Sequence, residues 1–300
     1  MRRNTPGVIW VLVLIALITG GSLFVAASIR MPSPTAAPMG TAQERAQVSE
    51  ELSPQAEVVP QASYEPKTKP PSLPRLAIIV DDFGYSLAQA RRLAEFPLPL
   101  TWAILPFLGG SEEAAKIAKD HGIPYLLHLP MQAEGDGNSG PYVIGVNMSD
   151  QEIRSATRGA INSLPGAIGV NNHRGSLATS DKRVMRALLA EVQLHGLPFV
   201  DSRTTSHSVV RSVAKELGMP VLANDIFLDH EEDEKAIAMR LETASSIARR
   251  RGYAIAICHV RKDTIAFLSK ATADMFKGVE LVTVPQLFGE LEDEDGEEGK

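Results

Sequence analysis

With one cysteine, Cys258, in 300 residues, the chain can form no intrachain disulfide and build no cysteine metal cluster. Aromatic residues make up only 5%, so any sugar-stacking surface has few members to draw on; Tyr85, Trp102, Tyr125 and Tyr142 are the candidates near strand ends or loops. The basic residues form no long run and the net charge is −6, which argues against a nucleic-acid partner. No glycine-rich phosphate loop of the dinucleotide or Walker type follows the first apolar run of the folded region, so nucleotide binding has no support.

What is there divides the chain into four parts. Arg2 and Arg3 precede residues 7–27, an uncharged stretch of roughly 20 residues, enough to cross a bilayer as a helix with its positive flank in the cytoplasm. Val25-Ala26-Ala27 also offers a small-residue cleavage site. Residues 1–30 therefore read as a transmembrane anchor or a cleaved signal, and either sends the remainder to the extracytoplasmic, periplasmic side; an anchor makes the inner membrane a partner. Residues 31–74 are rich in Pro, Ala, Gln and Glu without a sustained apolar period, a composition that cannot offset its ordering entropy and reads as a flexible linker. Residues 75–289 form the folded region, and 290–300 are an acidic run expected to be disordered.

The folded region opens on Leu76, Ala77, Ile78, Ile79 and Val80, a buried strand by its apolar continuity, which runs at once into Asp81-Asp82 and then Gly84. Charges at a strand's carboxyl end lie on the rim where α/β folds build chemistry. Left unanswered there they are costly, so a cation or hydrogen bonds must meet them. One reading is a metal ligand beside a general base; the other is a solvated Asx turn. Farther on, short apolar runs alternate with amphipathic stretches, and strands are expected over 100–105, 125–132, 167–170, 199–204, 220–223, 254–260 and 279–284. About eight strands in about 215 residues predict an α/β fold, a (β/α) barrel of about seven to eight strands, complete or distorted, with an open doubly wound sheet as the alternative.

Polar groups recur where these strands end: Asp81 and Asp82, His128, Asn172 and His173, Asp201 and Arg203, Asp225 and Asp229, and His259. A lone strand-end histidine is an ordinary core or turn residue, but convergence of several changes its meaning. One carboxylate and two imidazoles supply three ligands and leave a position open, the arrangement of catalytic zinc, and Mn, Co or Ni accept the same donors.

On Ile79-Val80-Asp81-Asp82-Phe83-Gly84, Leu127-His128-Leu129-Pro130-Met131, Gly169-Val170-Asn171-Asn172-His173-Arg174-Gly175-Ser176, Phe199-Val200-Asp201-Ser202-Arg203-Thr204 and Phe227-Leu228-Asp229, the chain resembles the divergent polysaccharide deacetylases. These are distant relatives of the chitin and peptidoglycan deacetylases of carbohydrate esterase family four, and the resemblance covers roughly residues 75–288. It implies a distorted (β/α) barrel, an Asp-His-His divalent-metal site and hydrolysis of N- or O-acetyl groups on a polysaccharide. Carried over, it makes Asp81 the general base, Asp82 and His128 metal ligands, and His259 the general acid. Gln132 stands where the family's second motif histidine belongs, and His173 is the nearest substitute as third ligand. The chain also has Asn172-His173-Arg174 in place of an Arg-Pro-Pro segment. Arg174 and Arg203 are candidates to orient Asp81 or meet substrate, and Asn172, Asp201 and Asp229 to support the site's rim. The reading is a metal-dependent hydrolase acting on cell-envelope polysaccharide; the alternative is a non-catalytic envelope protein that binds glycan or a protein partner through a degenerate barrel.

Overall fold

A computed structural model describes residues 73–137 and 142–289; the expectations for the anchor or signal, for most of the linker and for the acidic tail lie outside them. Among the described residues no helix is long and apolar enough to cross a membrane. The strands are β1 (Arg75–Phe83), β2 (Thr101–Ile104), β3 (Tyr125–Met131), β4 (Val170–Arg174), β5 (Phe199–Asp201), β6 (Val221–Ala223), β7 (Ile226–Phe227), β8 (Tyr253–His259) and β9 (Glu280–Val282). Every pairing is parallel, in the order β6-β5-β4-β3-β2-β1-β8-β7. That is the order of an eight-stranded barrel with one junction, β6 to β7, left open. The fold is thus the distorted barrel.

The opening has a local cause. Only Asn224 and Asp225 separate β6 from β7, too few for a crossover helix. The Asn224 N–H still donates to the Asp201 carbonyl beside β5, while the Asp225 N–H already donates to the Ile255 carbonyl on β8. The chain itself crosses the seam that backbone hydrogen bonds leave open. The last strand, expected to close the series, lies off the ring and pairs only the amino end of β1.

Helices α1 (Leu87–Ala94), α2 (Ser111–Asp120), α3 (Asp150–Ser163), α4 (Lys182–Leu194), α5 (Val210–Leu217), α6 (Glu234–Arg251) and α7 (Lys262–Leu268) complete the set. Ser86 caps α1, Ser149 and Glu152 form a capping box on α3, and Asp181 and Asp233 cap α4 and α6.

Strand parity sorts the apolar residues into two layers. Leu76, Ile78, Val80, Leu127, Leu129, Ala254, Ala256 and Cys258 face the helices. Ala77, Ile79, Ala103, Leu126, Val200, Leu222, Ile255 and Ile257 fill the barrel interior, with Val284, Leu287 and Phe288 in the same cluster. Side chains alternate along a strand, so the next inward positions are Asp81, His128, Asn171, Ser202 and His259. The interior is apolar below and polar at its carboxyl end.

β4 shows why one boundary moved. A strand was expected over 167–170, running into Asn171–Ser176; instead the strand runs from Val170 through Asn171, Asn172 and His173 to Arg174, paired residue for residue with Leu127–Met131. Polar side chains are no obstacle to a strand whose inner face belongs to the polar layer.

Two expected sugar platforms are core residues. Trp102 is 0% exposed and stacks on Phe83 with ring centroids 3.9 Å apart, and Tyr125 is buried with its hydroxyl donating to the Pro165 carbonyl. The Trp102 indole N–H has no hydrogen-bond partner among the described residues. Trp102→Ala is expected to cost about 3–5 kcal/mol in denaturant unfolding, whereas Trp102→Phe, which gives up no hydrogen bond and keeps an aromatic ring against Phe83, should cost less than half of that.

Candidate active site

Adjacent strand residues point to opposite faces, so Asp81 and Asp82 need a special backbone to share one side. β1 supplies it: its register against β2 shifts between Val80 and Phe83, and Asp82 takes a left-handed φ of 73°. The bulge turns Asp82 back toward the cleft that Asp81 faces by parity. Gly84 follows at φ 117°, where a Cβ would be strained by the backbone and crowded, at 3.1 Å from Leu108 and 3.2 Å from the Ser111 hydroxyl.

Three side chains from three strands then meet. Asp82 Oδ1 lies 3.0 Å from His173 Nδ1 and 3.4 Å from His128 Nε2, and the two imidazole nitrogens are 3.1 Å apart. A tetrahedral ion with ligand bonds of about 2.0–2.1 Å separates its ligands by about 3.3 Å, so the triangle has the size that zinc coordination needs. Among the described residues no backbone N–H or hydroxyl reaches the buried Asp82 Oδ1, and the His128 and His173 imidazoles face it. Asp82, His128 and His173 are the described residues that can jointly hold a cation.

The ring nitrogens are aimed by what lies behind them. His128 Nδ1 is 2.9 Å from Asn171 Oδ1, and the Asn171 amide nitrogen donates to Asp81 Oδ1 at 3.0 Å. An amide oxygen only accepts, so this network assigns the His128 proton to Nδ1 and turns the Nε2 lone pair toward Asp82 and His173. Burial pushes the Asp81 carboxyl up, partly opposed by His128 and His259 and by the Asn171 hydrogen bond. Burial acts on Asp82 in the same direction, yet hydrogen bonds and charge from His128 and His173, when those rings are protonated, outweigh it and hold that carboxyl well below the usual range. For His128, burial favours the neutral ring, but Asp81 and Asp82 prevail and raise it.

His259 stands across from them, its backbone paired beside Asp81. Its Nδ1 lies 2.8 Å from Asp229 Oδ1, while the other Asp229 oxygen accepts from the His259 backbone at 2.7 Å and from Thr264, on α7, at 2.8 Å. Phe227 stacks on the ring at 5.9 Å. Burial disfavours the His259 charge, but the buried Asp229 carboxylate outweighs it and the imidazole titrates above its ordinary value; Asp229, raised by burial but more strongly lowered by His259, lies below its own. These groups line a cleft of about 350 Å³ with His230, Arg174 and Arg261 at its rim.

The remaining candidates divide. Asn172 lines the same cleft, but its side chain is committed to the backbone: its Oδ1 accepts from the Ser202 backbone at 2.8 Å and its amide donates to the Arg174 carbonyl at 2.8 Å, splinting β4 to the end of β5. Arg174 spends its guanidinium on Asp136 at 2.7 Å. Asp201 faces outward, because Val200 faces inward, and accepts from the Arg203 backbone at 2.8 Å and the Ser208 hydroxyl at 2.7 Å. Arg203 is exposed and lines other cavities, so neither approaches Asp81. Asp225 takes Arg251 through both oxygens, at 2.8 and 2.5 Å. Gln132 ties a loop, its Oε1 accepting from the Val146 backbone at 2.9 Å. Asn171 was not singled out, although it lies two residues before His173 and so shares its strand face.

Asn171→Ala is expected to weaken zinc binding by the full chain about 10–100-fold with the fold intact by circular dichroism. Unchanged affinity would mean the amide does not aim His128.

Comparison with known proteins adds lineage to this geometry. The sequence profile described as divergent polysaccharide deacetylase matches residues 78–288. An uncharacterized protein of Haemophilus influenzae is 34% identical over 214 residues, 71% of this chain and 76% of that one. The uncharacterized protein YibQ of Escherichia coli K12 is 31% identical over 216 residues, 72% and 68% of the respective chains. The crystal structure of an uncharacterized protein of Agrobacterium tumefaciens C58 shares the fold, with a TM-score of 0.69 at 23% identity over 73% of this chain and 91% of that one.

Proposed function

The chain belongs to the divergent polysaccharide deacetylase family, and on that premise we propose that it is a divalent-cation-dependent hydrolase removing N- or O-linked acetyl groups from a cell-envelope polysaccharide. The observation that carries the proposal is the triangle of Asp82, His128 and His173 with a buried carboxylate on one side and a carboxylate-held imidazole on the other. A cation held there, zinc first with Mn, Co or Ni accepting the same donors, supplies Lewis-acid polarisation of the acetyl carbonyl and acidifies water.

The chain's own groups do the rest. Asp81 keeps Oδ1 on Asn171, which leaves Oδ2 to take the proton of the attacking water. His259, its Nδ1 held by Asp229, presents Nε2 to the cleft and gives a proton to the departing nitrogen or oxygen as the acyl bond breaks. The products are acetate and a free amine or hydroxyl. The proposal puts the domain on the extracytoplasmic, periplasmic side, supported by the uncharged run of residues 7–27 behind Arg2 and Arg3.

Asp81→Asn is expected to lower acetate release from acetylated amino-sugar oligomers by about 10²–10⁴-fold while sparing bound cation, whereas His128→Ala should lose the cation itself. Undiminished acetate release by Asp81→Asn would remove the assigned base, and cation binding without acetate release by the native chain would favour the non-catalytic glycan-binding alternative. The acid has its own signature. Asp229 holds His259 protonated above its ordinary value, so activity should decline as pH rises through that raised pKa; Asp229→Asn should move the alkaline limb of kcat/KM to lower pH. An alkaline limb that stays in place would assign it to another group.

A further inference from the structure

Between β6 and β7 the barrel lacks both a backbone ladder and a crossover helix, and a cavity of about 160 Å³ lies along that seam, bounded by β6 on one side and by Arg251 and Tyr253 on the other. Three guanidiniums and two carboxylates line it. Asp225 and Arg251 satisfy each other through both oxygens. Asp201 is buried and its oxygens accept from the Arg203 backbone and the Ser208 hydroxyl. That leaves the Arg203 and Arg211 guanidiniums, which have no hydrogen bond or ion pair among the described residues. Arg203 is held at the cavity by a left-handed backbone, φ 52°, with its N–H on Asp201. Lys215 lies four residues on from Arg211 along α5, on the same helix face, and is exposed and likewise without a partner. The seam therefore carries cationic groups that the described residues do not answer.

The chain holds the opposite charge close by. Seven of the nine residues 290–298 are acidic. Just before them, Leu287 and Phe288 are buried in the interior cluster that also contains Leu222, and Tyr253 packs against that cluster; Leu222 and Tyr253 both line the cavity. The acidic run thus starts from the apolar layer that backs the seam, and nine residues fully extended reach about 30 Å. A run of like charges has no apolar face to bury, so opposite charge is what can hold it.

We propose that residues 290–298 cross the open seam and place carboxylates on Arg203 and Arg211, an intramolecular clasp that closes from outside the junction the backbone leaves open. An arginine fork accepts a carboxylate in two parallel hydrogen bonds, and tethering presents the carboxylates at an effective concentration on the order of mM. A single exposed ion pair contributes little, so the clasp depends on several charges acting together and yields to salt.

The test is modification of arginines by phenylglyoxal in the full chain, followed residue by residue by mass spectrometry, beside a full-length variant whose acidic residues within 290–298 are changed to the corresponding amides. At low salt Arg203 and Arg211 of the native chain are expected to react at least about threefold more slowly than in the amide variant, and the difference should vanish near about 0.5 M NaCl. Arg92, exposed on α1 and away from the seam, should react alike in both chains and at both salt concentrations. Equal reactivity of Arg203 and Arg211 in the two chains, whether both slow or both fast, overturns the clasp. Within the native chain alone, salt that fails to speed those two arginines relative to Arg92 overturns it as well, which keeps the test decisive if the amide variant misfolds. Protection should be independent of protein concentration; protection that grows with concentration would assign the acidic run to a second copy and contradict an intramolecular contact.

Discussion

Two adjacent carboxylates, Asp81 and Asp82, stand at the mouth of an apolar barrel, and the site is arranged around answering their charge. Each raises the cost of ionising the other, and Asp81 is almost wholly buried. The structure treats them differently. Asp82 is turned by a bulge onto two imidazoles and ionises readily, while Asp81 keeps a single amide donor and a raised pKa. On the proposed reading, one fold position yields a ligand and a base from identical residues, separated by their environments.

Two short relays complete the arrangement. Asp81, Asn171 and His128 form one, and Asp229 with His259 forms the other. In each, a buried acceptor holds Nδ1 and leaves Nε2 to face the cleft, so both histidines are aimed by groups that need not touch substrate. Thr264 and the His259 backbone hold Asp229 in turn, and Ser202 links Asn171 and Asn172 to the end of β5. The open seam between β6 and β7 lets Asn224 and Asp225 carry the chain directly to Phe227 and Asp229, which bear on His259.

Much of this was legible in the sequence. The apolar runs of β1, β2, β3 and β8 announced themselves, and the number of strand candidates pointed to a distorted barrel. β4 was misplaced because Asn-Asn-His-Arg reads as loop to any rule that equates strands with hydrophobicity. β7, two residues long, and α7, seven, are too short to carry a period. At the site, parity was the missing tool. It separates inward Asn171 and His173 from outward Asn172 and Asp201, and all four lie in stretches the sequence had marked. Parity alone would have turned Asp82 outward, however, since only the bulge brings it in. Trp102 and Tyr125 are aromatic and lie near strand ends, which made them candidates for sugar stacking; burial shows them to be core.

The central claim is that Asp82, His128 and His173 together bind one divalent cation. Zinc-edge X-ray absorption of the full chain loaded with one equivalent of zinc tests it most directly, beside the same measurement on His173→Ala. The account predicts two imidazole nitrogens and one carboxylate oxygen at about 2.0–2.1 Å, with one imidazole lost in the variant. A zinc shell without imidazole, or one identical in His173→Ala, would contradict it.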